Sequence, residues 1–420
     1  MESVSTYIFY FFTFLSLYVQ VFFLVTFLEN KKSIFKKHAF KNVTLSNYPS
    51  ITILVPSYNE EISIIKTVES LLKLDYPKEK LQIFVIDDGS KDNTWSVVQI
   101  YKDNPTVKLF HQKNGGKYTA LNLGLEYCQT EFFSCLDADS TVEPQALQKM
   151  MPYFNDPQTM AVIPSALVTL PTTLVQRAQK AEYNMAVFFK KVFSLIGGLH
   201  VTPGTLPIYR KQVTDLIGGF RHGHNGEDME MAFRMQNNYL KIVQCHEAIV
   251  HTIPPATIAI LYKQRVRWIT AYLKNILDYK HMLFSKKYGN FGLFTLPSGV
   301  ISVITMLCLF SFSIYHIYNF ITQKATQINA IGISRYFNQF QFNSFNFDWF
   351  FFYINGITIT VILCYILLVI SMIIGNKMAE GKARFSMNLL YYIGIYSIVA
   401  PFWLIKATYN TLLSKNASWR

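Results

Sequence analysis

The sequence has few cysteines and few charged side chains for its length. Five cysteines stand among 420 residues, without a CxxC motif or a disulfide-like spacing, which fits a reducing cytoplasm and argues against a disulfide framework. Charged residues make up only 15% of the chain and hydrophobic residues 51%. The apolar residues cluster at the two ends, so composition predicts membrane segments around a more polar middle.

Three common cofactor motifs are absent. No GxGxxG follows the first strand-like run, which disfavours a dinucleotide-binding fold. The segment "NGGK" is not a P-loop, because His111 stands where a glycine is required and Tyr118 replaces Ser or Thr. "HEAIVH" misses the HExxH zinc spacing by one residue, so His246 and His251 are expected to be structural.

The N-terminal apolar segment is long enough to cross a bilayer. Residues 3–28 carry no charged side chain, and a helix over 7–28 spans the roughly 30 Å of hydrocarbon at about 1.5 Å per residue. A signal peptide is the alternative, but the segment begins with Glu2 and ends in "FLENKK" without a small-residue cleavage site. We therefore expect a transmembrane anchor.

Three further uncharged stretches lie near the C-terminus, at 288–323, 349–376 and 385–405. Each of the last two fits one span. The first is too long for one span and contains Pro297, so an interfacial or re-entrant piece followed by a membrane helix is expected. The sequence thus predicts four spans, give or take one.

The distribution of basic residues predicts the orientation. A basic cluster follows the first span and nothing basic precedes it: Lys31, Lys32, Lys36, Lys37 and Lys41. The positive-inside bias therefore places 29–287 in the cytoplasm, between a helix over 1–28 and a membrane region over 288–420. The tail, with Lys406, Lys415 and Arg420, would be outside and fits the rule less well. The net charge of +13 fits an anionic inner leaflet better than nucleic acid.

The first part of the middle domain alternates strand-like and helix-like runs. The strand-like runs are nearly continuous in apolar residues, and they read "ITILVPSY", "LQIFVID", "VKLFHQ" and "EFFSCLDADS". Helical patterns separate them, so right-handed crossovers and a parallel sheet are expected in an α/β fold. Ligands bind beyond the carboxyl ends of such strands, where polar side chains stand here.

Carboxylates follow two of these strands. Asp87 and Asp88, and Asp137 and Asp139, are expected at one sheet edge, where Mg²⁺ or Mn²⁺ carrying a polyphosphate would offset their repulsion. Lys117, at a predicted helix start, adds charge for the phosphates, and the adjacent glycines allow backbone amides to approach them. Turn and capping chemistry, through Ser90 or Asp92, is the structural alternative.

The second part of the domain adds further groups. Its first helix carries an apolar stripe that is either core or membrane-facing, formed by Leu174, Ala178, Ala181, Met185, Phe188 and Val192. Glu227 and Asp228 open a later helix, where a favourable helix dipole is the structural explanation. In "QRVRW", Gln264, Arg267 and Trp268 share one helix face and suggest a clamp on anion and sugar, with interfacial anchoring as the alternative.

The order VPSYNE, DDGS, GGK, DAD, GED and QRVRW, followed by membrane helices, resembles the processive family 2 glycosyltransferases of the inverting GT-A fold. This group includes the hyaluronan, chitin, cellulose and poly-N-acetylglucosamine synthases. The resemblance covers about residues 45–290, and the flanking spans match only by arrangement. It implies transfer from a UDP-sugar, such as UDP-GlcNAc, UDP-GlcA or UDP-Glc, to a growing polysaccharide.

The resemblance also implies roles for individual residues. Tyr58, Glu60 and Asp88 match the uridine-binding set, and Lys117 and Asp137 complete the nucleotide-sugar site. Asp139 matches the second aspartate of the DxD motif, which holds Mg²⁺ or Mn²⁺. Asp228 matches the base that deprotonates the acceptor hydroxyl, with Glu227 beside it. Finally, Arg267 matches the pyrophosphate contact, and Gln264 and Trp268 match the acceptor contacts.

Two departures and two rivals accompany this hypothesis. Gly226 stands where many of these synthases have Thr, which is expected to alter helix capping rather than chemistry. About four spans is few for a synthase that exports its own polymer, so the resemblance implies sugar transfer more directly than polymer export. A single-transfer lipid enzyme of the ceramide glucosyltransferase type is the main rival, and a non-catalytic polymer-binding membrane protein is a remote one. The sequence names neither the donor sugar nor a partner subunit.

Overall fold

The computed structural model describes residues 4–35, 48–333 and 356–414. The chain forms two compact units. The smaller unit comprises Met1–Leu24 and Val300–Leu368, and the larger unit comprises Val25–Gly299 and Val369–Arg420. Every residue that the sequence analysis assigned to the site belongs to the larger unit.

The larger unit contains an eight-stranded mixed sheet in the order β3-β2-β1-β4-β7-β6-β8-β5. Its strands are β1 (Ile51–Ser57), β2 (Leu81–Asp87), β3 (Val107–His111), β4 (Phe132–Leu136), β5 (Ser140–Val142), β6 (Thr159–Val168), β7 (Thr205–Arg210) and β8 (Lys241–Thr252). Strand β1 pairs in parallel with both β2 and β4, and β2 pairs in parallel with β3. The predicted parallel sheet of the first part is therefore present, and antiparallel β7 extends it.

The α-helices of the described residues are α1 (Val4–Phe35), α2 (Ile64–Leu72), α3 (Thr94–Val98), α4 (Lys117–Glu126), α5 (Ala146–Met150), α6 (Leu174–Leu195), α7 (Gln212–Ile217), α8 (Glu227–Asn237), α9 (Ile258–Asp278), α10 (Leu296–Ile331), α11 (Gly356–Glu380) and α12 (Asn388–Leu412). Threonine caps begin the two long helices at the site: Thr173 Oγ1 accepts from the Gln176 amide, and Thr257 Oγ1 from the Ile260 amide.

Alternation along the strands builds a core on each face of the sheet. Ile51, Ile53 and Val55 of β1 belong to one buried cluster, whereas Leu54 belongs to the other. Successive side chains of a strand point to opposite faces, so an apolar run such as "ITILV" must be covered on both sides. Helices on the two faces provide that cover, which gives the layered α/β architecture.

The apolar stripe of α6 is mostly core. Ala178, Ala181, Met185, Phe188 and Val192 are each 3% exposed or less. Leu174, at the helix start, is 56% exposed and differs from the rest. The helix packs on β6, β8 and α12, so of the two alternatives for this stripe the structure favours burial within the protein.

Four helices of the described residues are long and apolar enough to cross a membrane: Tyr7–Phe35, Phe291–Ala330, Gly356–Glu380 and Asn388–Leu412. Their number equals the four predicted spans. Pro297 stands in the first turn of α10, where its missing N–H has no intrahelical partner to lose. The segment expected to contain a re-entrant piece therefore continues as one helix from Leu296, after a short π-helical turn at Phe291–Thr295.

Candidate active site

The carboxyl ends of β1, β2 and β4 open on one cavity of about 790 Å³. The register aligns Ser57 with Asp87, and the amide of Asp88 donates to the Ser57 carbonyl over 2.9 Å. All eleven residues to which the family resemblance gave a role line this cavity: Tyr58, Glu60, Asp88, Lys117, Asp137, Asp139, Glu227, Asp228, Gln264, Arg267 and Trp268. The fold therefore brings together motifs from both halves of the domain.

The adjacent carboxylates Asp87 and Asp88 do not act as a pair, contrary to the prediction that both converge on the crevice. Asp88 lines the cavity, whereas Asp87 is fully buried beside it. Asp87 Oδ2 lies 2.7 Å from Nδ1 of His111, and Asp87 Oδ1 accepts from the Ser90 hydroxyl. Neighbouring side chains at a strand end face opposite ways, which explains why only one of them reaches the cavity.

Asp88 holds the glycine-rich loop in place. Its Oδ1 accepts from the Gly115 amide at 3.0 Å and its Oδ2 from the Gly116 amide at 2.9 Å. The Gln112 side chain donates to the same carboxylate at 2.6 Å. The two glycine amides that the sequence analysis expected to approach phosphates thus donate to the Asp88 carboxylate in this structure. Asp88 acts here as an anchor for the turn that leads into α4.

Lys117, the first residue of α4, bridges two carboxylates across the cavity. Its Nζ lies 2.7 Å from Asp137 Oδ1 and 2.9 Å from Glu227 Oε1. Burial by itself would lower the pKa of Lys117, but the charges of Asp137 and Glu227 reverse this and hold it well above its usual value. The same ammonium keeps the pKa of Glu227 low despite burial. Glu227 is thus an ionised partner of Lys117.

Gly204, which sequence reasoning passed over, makes this bridge possible. Its carbonyl accepts from the Asp137 amide at 2.8 Å. A Cβ at this position would stand 2.7 Å from both Asp137 Oδ1 and Lys117 Nζ. Only glycine leaves room for the backbone to pass so close to the ion pair. The Pro-Gly pair in "VTPGT" was the available signal, although such pairs mark most turns equally well.

Asp139 offers the oxygen ligand that the metal hypothesis requires. Its surroundings raise its pKa to about 7, first through burial and then through the neighbouring charges of Asp137 and Glu60. Crowded carboxylate oxygens of this kind suit a hard divalent cation. Within the described residues, no three His, Cys, Asp or Glu side chains are grouped closely enough to hold a metal alone. The residues therefore fit Mg²⁺ or Mn²⁺ whose remaining ligands come from diphosphate and water.

The pKa of Asp228 is shifted toward neutral pH. The residue stands in the first turn of α8, and its Oδ1 accepts from the Met229 amide at 2.8 Å. Burial and then the adjacent charge of Glu227 raise the pKa of Asp228 to about 6. Thr202 fixes the backbone here by donating its hydroxyl to the Asp228 carbonyl at 2.8 Å. A carboxylate with this pKa is ionised at pH 7 and basic enough to accept a proton.

Close packing explains why glycine stands at position 226, where many similar synthases have Thr. Gly226 caps α8 with φ −142° and no side-chain hydrogen bond, which agrees with the expected change in capping. A Cβ on Gly226 would stand 2.8 Å from the Cβ of Ala271 on α9. The glycine therefore lets the start of α8, with its two acidic residues, lie directly against the helix that carries QRVRW.

Helix α9 presents QRVRW as predicted. Gln264, Arg267 and Trp268 line the cavity together, because residues at i, i+3 and i+4 share one helix face. Arg265 does not belong to that lining and is 5% exposed. The cavity face of α9 thus carries an amide, a guanidinium and an indole, which suits the recognition of phosphate and sugar.

Four titratable residues of the cavity were missed by sequence reasoning. Glu182, Tyr183 and Lys190 of α6 line the cavity, as does His200 in the loop that follows. Burial and the charge of Lys190 lower the pKa of His200 to about 4, so its imidazole is neutral. The helical spacing of α6 identified its apolar stripe but gave no reason to single out the polar residues between.

The two histidines of "HEAIVH" lie outside the cavity lining. His246 and His251 belong to β8, and the nearest carboxylate oxygens are those of Glu247 at 3.1 Å and Glu143 at 3.6 Å. Asp92 accepts from the amide and hydroxyl of Thr94 at the start of α3, so the turn explanation applies to that part of the DDGS region.

Residues 52–218 match the family described as "Glycosyl transferase family 2". The chain is 28% identical over 318 residues to the poly-beta-1,6-N-acetyl-D-glucosamine synthase of Staphylococcus epidermidis, a match covering 74% of each protein. It is 27% identical over 247 residues to the beta-monoglucosyldiacylglycerol synthase of Synechocystis, covering 58% of this chain and only 52% of that enzyme.

Among solved structures, a mannosyltransferase from Pyrobaculum calidifontis in complex with GDP-Man and Mn²⁺ superposes with a TM-score of 0.57. The identity is 15%, and the match covers 95% of this chain and 99% of that one. This likeness concerns the fold alone, and it confirms the GT-A architecture.

Proposed function

From the match of residues 52–218 to glycosyl transferase family 2, we propose that the chain transfers a sugar from a UDP-sugar to a growing polysaccharide at the cytoplasmic face of a membrane. One observation carries the proposal: residues from six separate motifs line a single cavity. An acid-base group, a cation-binding carboxylate and an anion-binding arginine stand there together. The similarity to a poly-N-acetylglucosamine synthase over 74% of both proteins supports a polysaccharide product, with UDP-GlcNAc as the first donor to test.

The proposed reaction is one inverting displacement. Asp228 takes the proton from an acceptor hydroxyl while that oxygen forms a bond to the anomeric carbon. The bond between this carbon and the β-phosphate oxygen breaks, so UDP leaves from the opposite face. With a pKa of about 6, Asp228 is ionised before the reaction and receives the proton in it.

The leaving diphosphate needs positive charge. Arg267 lines the cavity and its guanidinium suits bidentate phosphate binding. Mg²⁺ or Mn²⁺, held by Asp139 and substrate oxygens, would supply further charge stabilisation to the diphosphate. Tyr58 and Glu60 line the cavity at the end of β1, where the base of the nucleotide is expected. Trp268 and Gln264 then hold the acceptor from α9.

A lipid acceptor is the second candidate. The similarity to a glucosyldiacylglycerol synthase favours it. An apolar side chain at the cavity edge agrees, because Ile253 lines the cavity and is 62% exposed. With a lipid acceptor, the same base and diphosphate contacts would support the transfer of a single sugar to a diacylglycerol-type hydroxyl.

The test is a donor and acceptor panel on the full chain in lipid nanodiscs. UDP-GlcNAc, UDP-Glc and UDP-GlcA are supplied with Mg²⁺ or Mn²⁺, UDP release is followed, and the product is sized. Asp228→Asn is the inactive variant, and Asp215→Asn, at an exposed position on α7, is the matched control. A glycosidase-sensitive polymer supports the synthase, and one sugar on an extractable lipid supports the second candidate. No turnover with any donor contradicts both.

A further inference from the structure

A buried ion pair lies beside the cavity-facing stripe of α9. Arg265 Nη2 is 2.6 Å from Glu182 Oε2, which joins α9 to α6. Arg265 is 5% exposed, whereas Glu182 lines the cavity. A buried pair of this kind is stabilising only when its remaining polar atoms also find partners. The third member of the group provides one.

That third member is Tyr396 of α12, one of the four helices long and apolar enough to span a membrane. Its hydroxyl donates to Glu182 Oε2 over 2.5 Å and accepts from Arg265 Nη2 over 3.3 Å. Tyr396 is 9% exposed, and its ring packs against Trp403 with centroids 5.3 Å apart. One carboxylate oxygen of Glu182 thus receives both a guanidinium and a phenol, from two different helices.

The same guanidinium stacks on the indole that faces the cavity. Arg265 Cζ stands 4.3 Å from the ring centroid of Trp268, within the range of a cation-π contact. Trp268 is 36% exposed and lines the cavity, so Arg265 covers part of a ring that otherwise meets the substrate space. Tyr396, Glu182, Arg265 and Trp268 therefore form a continuous chain from α12 to the cavity wall, which we call the Tyr396 relay.

We propose that Tyr396 is a positioning residue for the acceptor, acting through Glu182 and Arg265 on the orientation of Trp268. The assignment of Trp268 to the acceptor rests on the proposed function. When the Tyr396 hydroxyl is lost, Glu182 keeps a single partner and Arg265 loses an acceptor. The guanidinium then holds the indole less firmly, and the acceptor hydroxyl is presented less well to Asp228. Small errors in position are costly when two reacting groups must align.

The first experiment reads the position of Trp268 without relying on activity. The full chain is labelled with 5-fluorotryptophan in nanodiscs, and the Trp268→Phe variant identifies the Trp268 fluorine resonance. Tyr396→Phe should shift or broaden that resonance. The matched control is Tyr392→Phe, one turn earlier on α12, whose ring is 4.6 Å from that of Tyr396 and whose hydroxyl forms no hydrogen bond with other described residues. An unchanged Trp268 resonance in Tyr396→Phe overturns the proposal.

The second experiment separates acceptor from donor binding. With N-acetylglucosamine oligosaccharides or diacylglycerol vesicles as acceptors, Tyr396→Phe should raise the acceptor KM by about tenfold, the effect of one hydrogen bond to a charged group. The donor KM should stay at the wild-type value, because the diphosphate contacts are untouched. Arg265→Lys should resemble Tyr396→Phe, since an ammonium keeps the charge but not the planar stacking.

The outcomes of the two experiments are distinguishable. If the wild type is active but Tyr396→Phe and Tyr392→Phe have the same acceptor KM, the Tyr396 relay has no positioning role. If the wild type turns over no donor, the proposed function fails, and the fluorine spectra still decide whether Tyr396 orients Trp268. A rise in donor KM equal to that in acceptor KM would indicate general loosening of the cavity and would also count against the relay.

Discussion

The ammonium of Lys117 lies 2.9 Å from a carboxylate oxygen of Glu227, although the two residues begin different helices, α4 and α8. The same ammonium contacts Asp137 at the end of β4. One lysine therefore links the glycine-rich turn, the first DxD aspartate and the acidic pair of the second half. The ammonium of Lys117 keeps Glu227 ionised, and that negative charge, together with burial, raises the pKa of Asp228 to about 6.

Asp228→Asn should reduce kcat by about 10² to 10⁴-fold, the usual contribution of a positioned base, and leave the donor KM almost unchanged. The pKa of Asp228 is about 6, so wild-type activity should fall as the pH drops through that value and the base becomes protonated. A pH-rate profile of UDP release checks this. A profile without an acidic limb near pH 6 would remove Asp228 from the role of base.

The same substitution should stabilise the protein. The pKa of Asp228 is raised in the folded state, so ionisation at neutral pH opposes folding, and this cost disappears as the pH falls toward the unfolded value near 3.8. Asparagine removes the charge. The free energy of unfolding should therefore rise by less than about 3 kcal/mol at pH 7.5, and this increase should vanish near pH 4. Thermal melts at both pH values measure it. A gain that is independent of pH would need another cause.

Lys117→Met should destabilise the larger unit and abolish activity. It leaves Asp137 and Glu227 without their shared cation, and breaking a buried pair costs about 3 kcal/mol or more. The control is Lys102→Met, at an exposed position. Thermal melts in nanodiscs should separate the two variants. If both melt at the wild-type temperature, the ion pairs of Lys117 contribute nothing to stability.

Gly204→Ala should disrupt the site without changing any charged residue. The new Cβ would stand 2.7 Å from Lys117 Nζ and from Asp137 Oδ1, so the ion pair must open. We expect both the turnover and the melting temperature of this variant to fall. The matched control is Gly394→Ala on α12, where a Cβ meets nothing within 4 Å. Equal turnover in the two variants would contradict the close approach.

Gly226→Thr, which introduces the residue common in similar synthases, should be harmful here because its Cβ would stand 2.8 Å from the Cβ of Ala271. The double variant with Ala271→Gly should recover turnover, and a threonine cap would then add about 1 kcal/mol of stability. Activity and melting temperature of the single and double variants complete a mutant cycle. Failure of Ala271→Gly to rescue would mean that Gly226 is needed for another reason.

Much of the fold was predictable because the first half of the domain is locally consistent. Strands such as "ITILVPS" are apolar throughout, and the helices between them begin and end at recognisable residues, so a parallel sheet followed from pattern alone. Antiparallel β7 and the pairing of β6 with β8 were not predictable, since pairing between distant strands leaves no local signal. The direction of Asp87 was also missed, because the exact end of a strand decides which face a residue takes.

The sequence by itself determined which chemical groups are available: the aspartates at strand ends, the lysine after two glycines, the acidic pair and QRVRW. Their order along the chain also carried the likeness to glycosyltransferases. Only the tertiary structure decided that Asp88 accepts from the amides of the glycine-rich turn, that Lys117 pairs with Glu227, and that Tyr396 of α12 contacts Glu182. The physical reason is that hydrogen bonds, ion pairs and pKa values depend on distance and burial, which residues far apart in sequence acquire only when the chain packs.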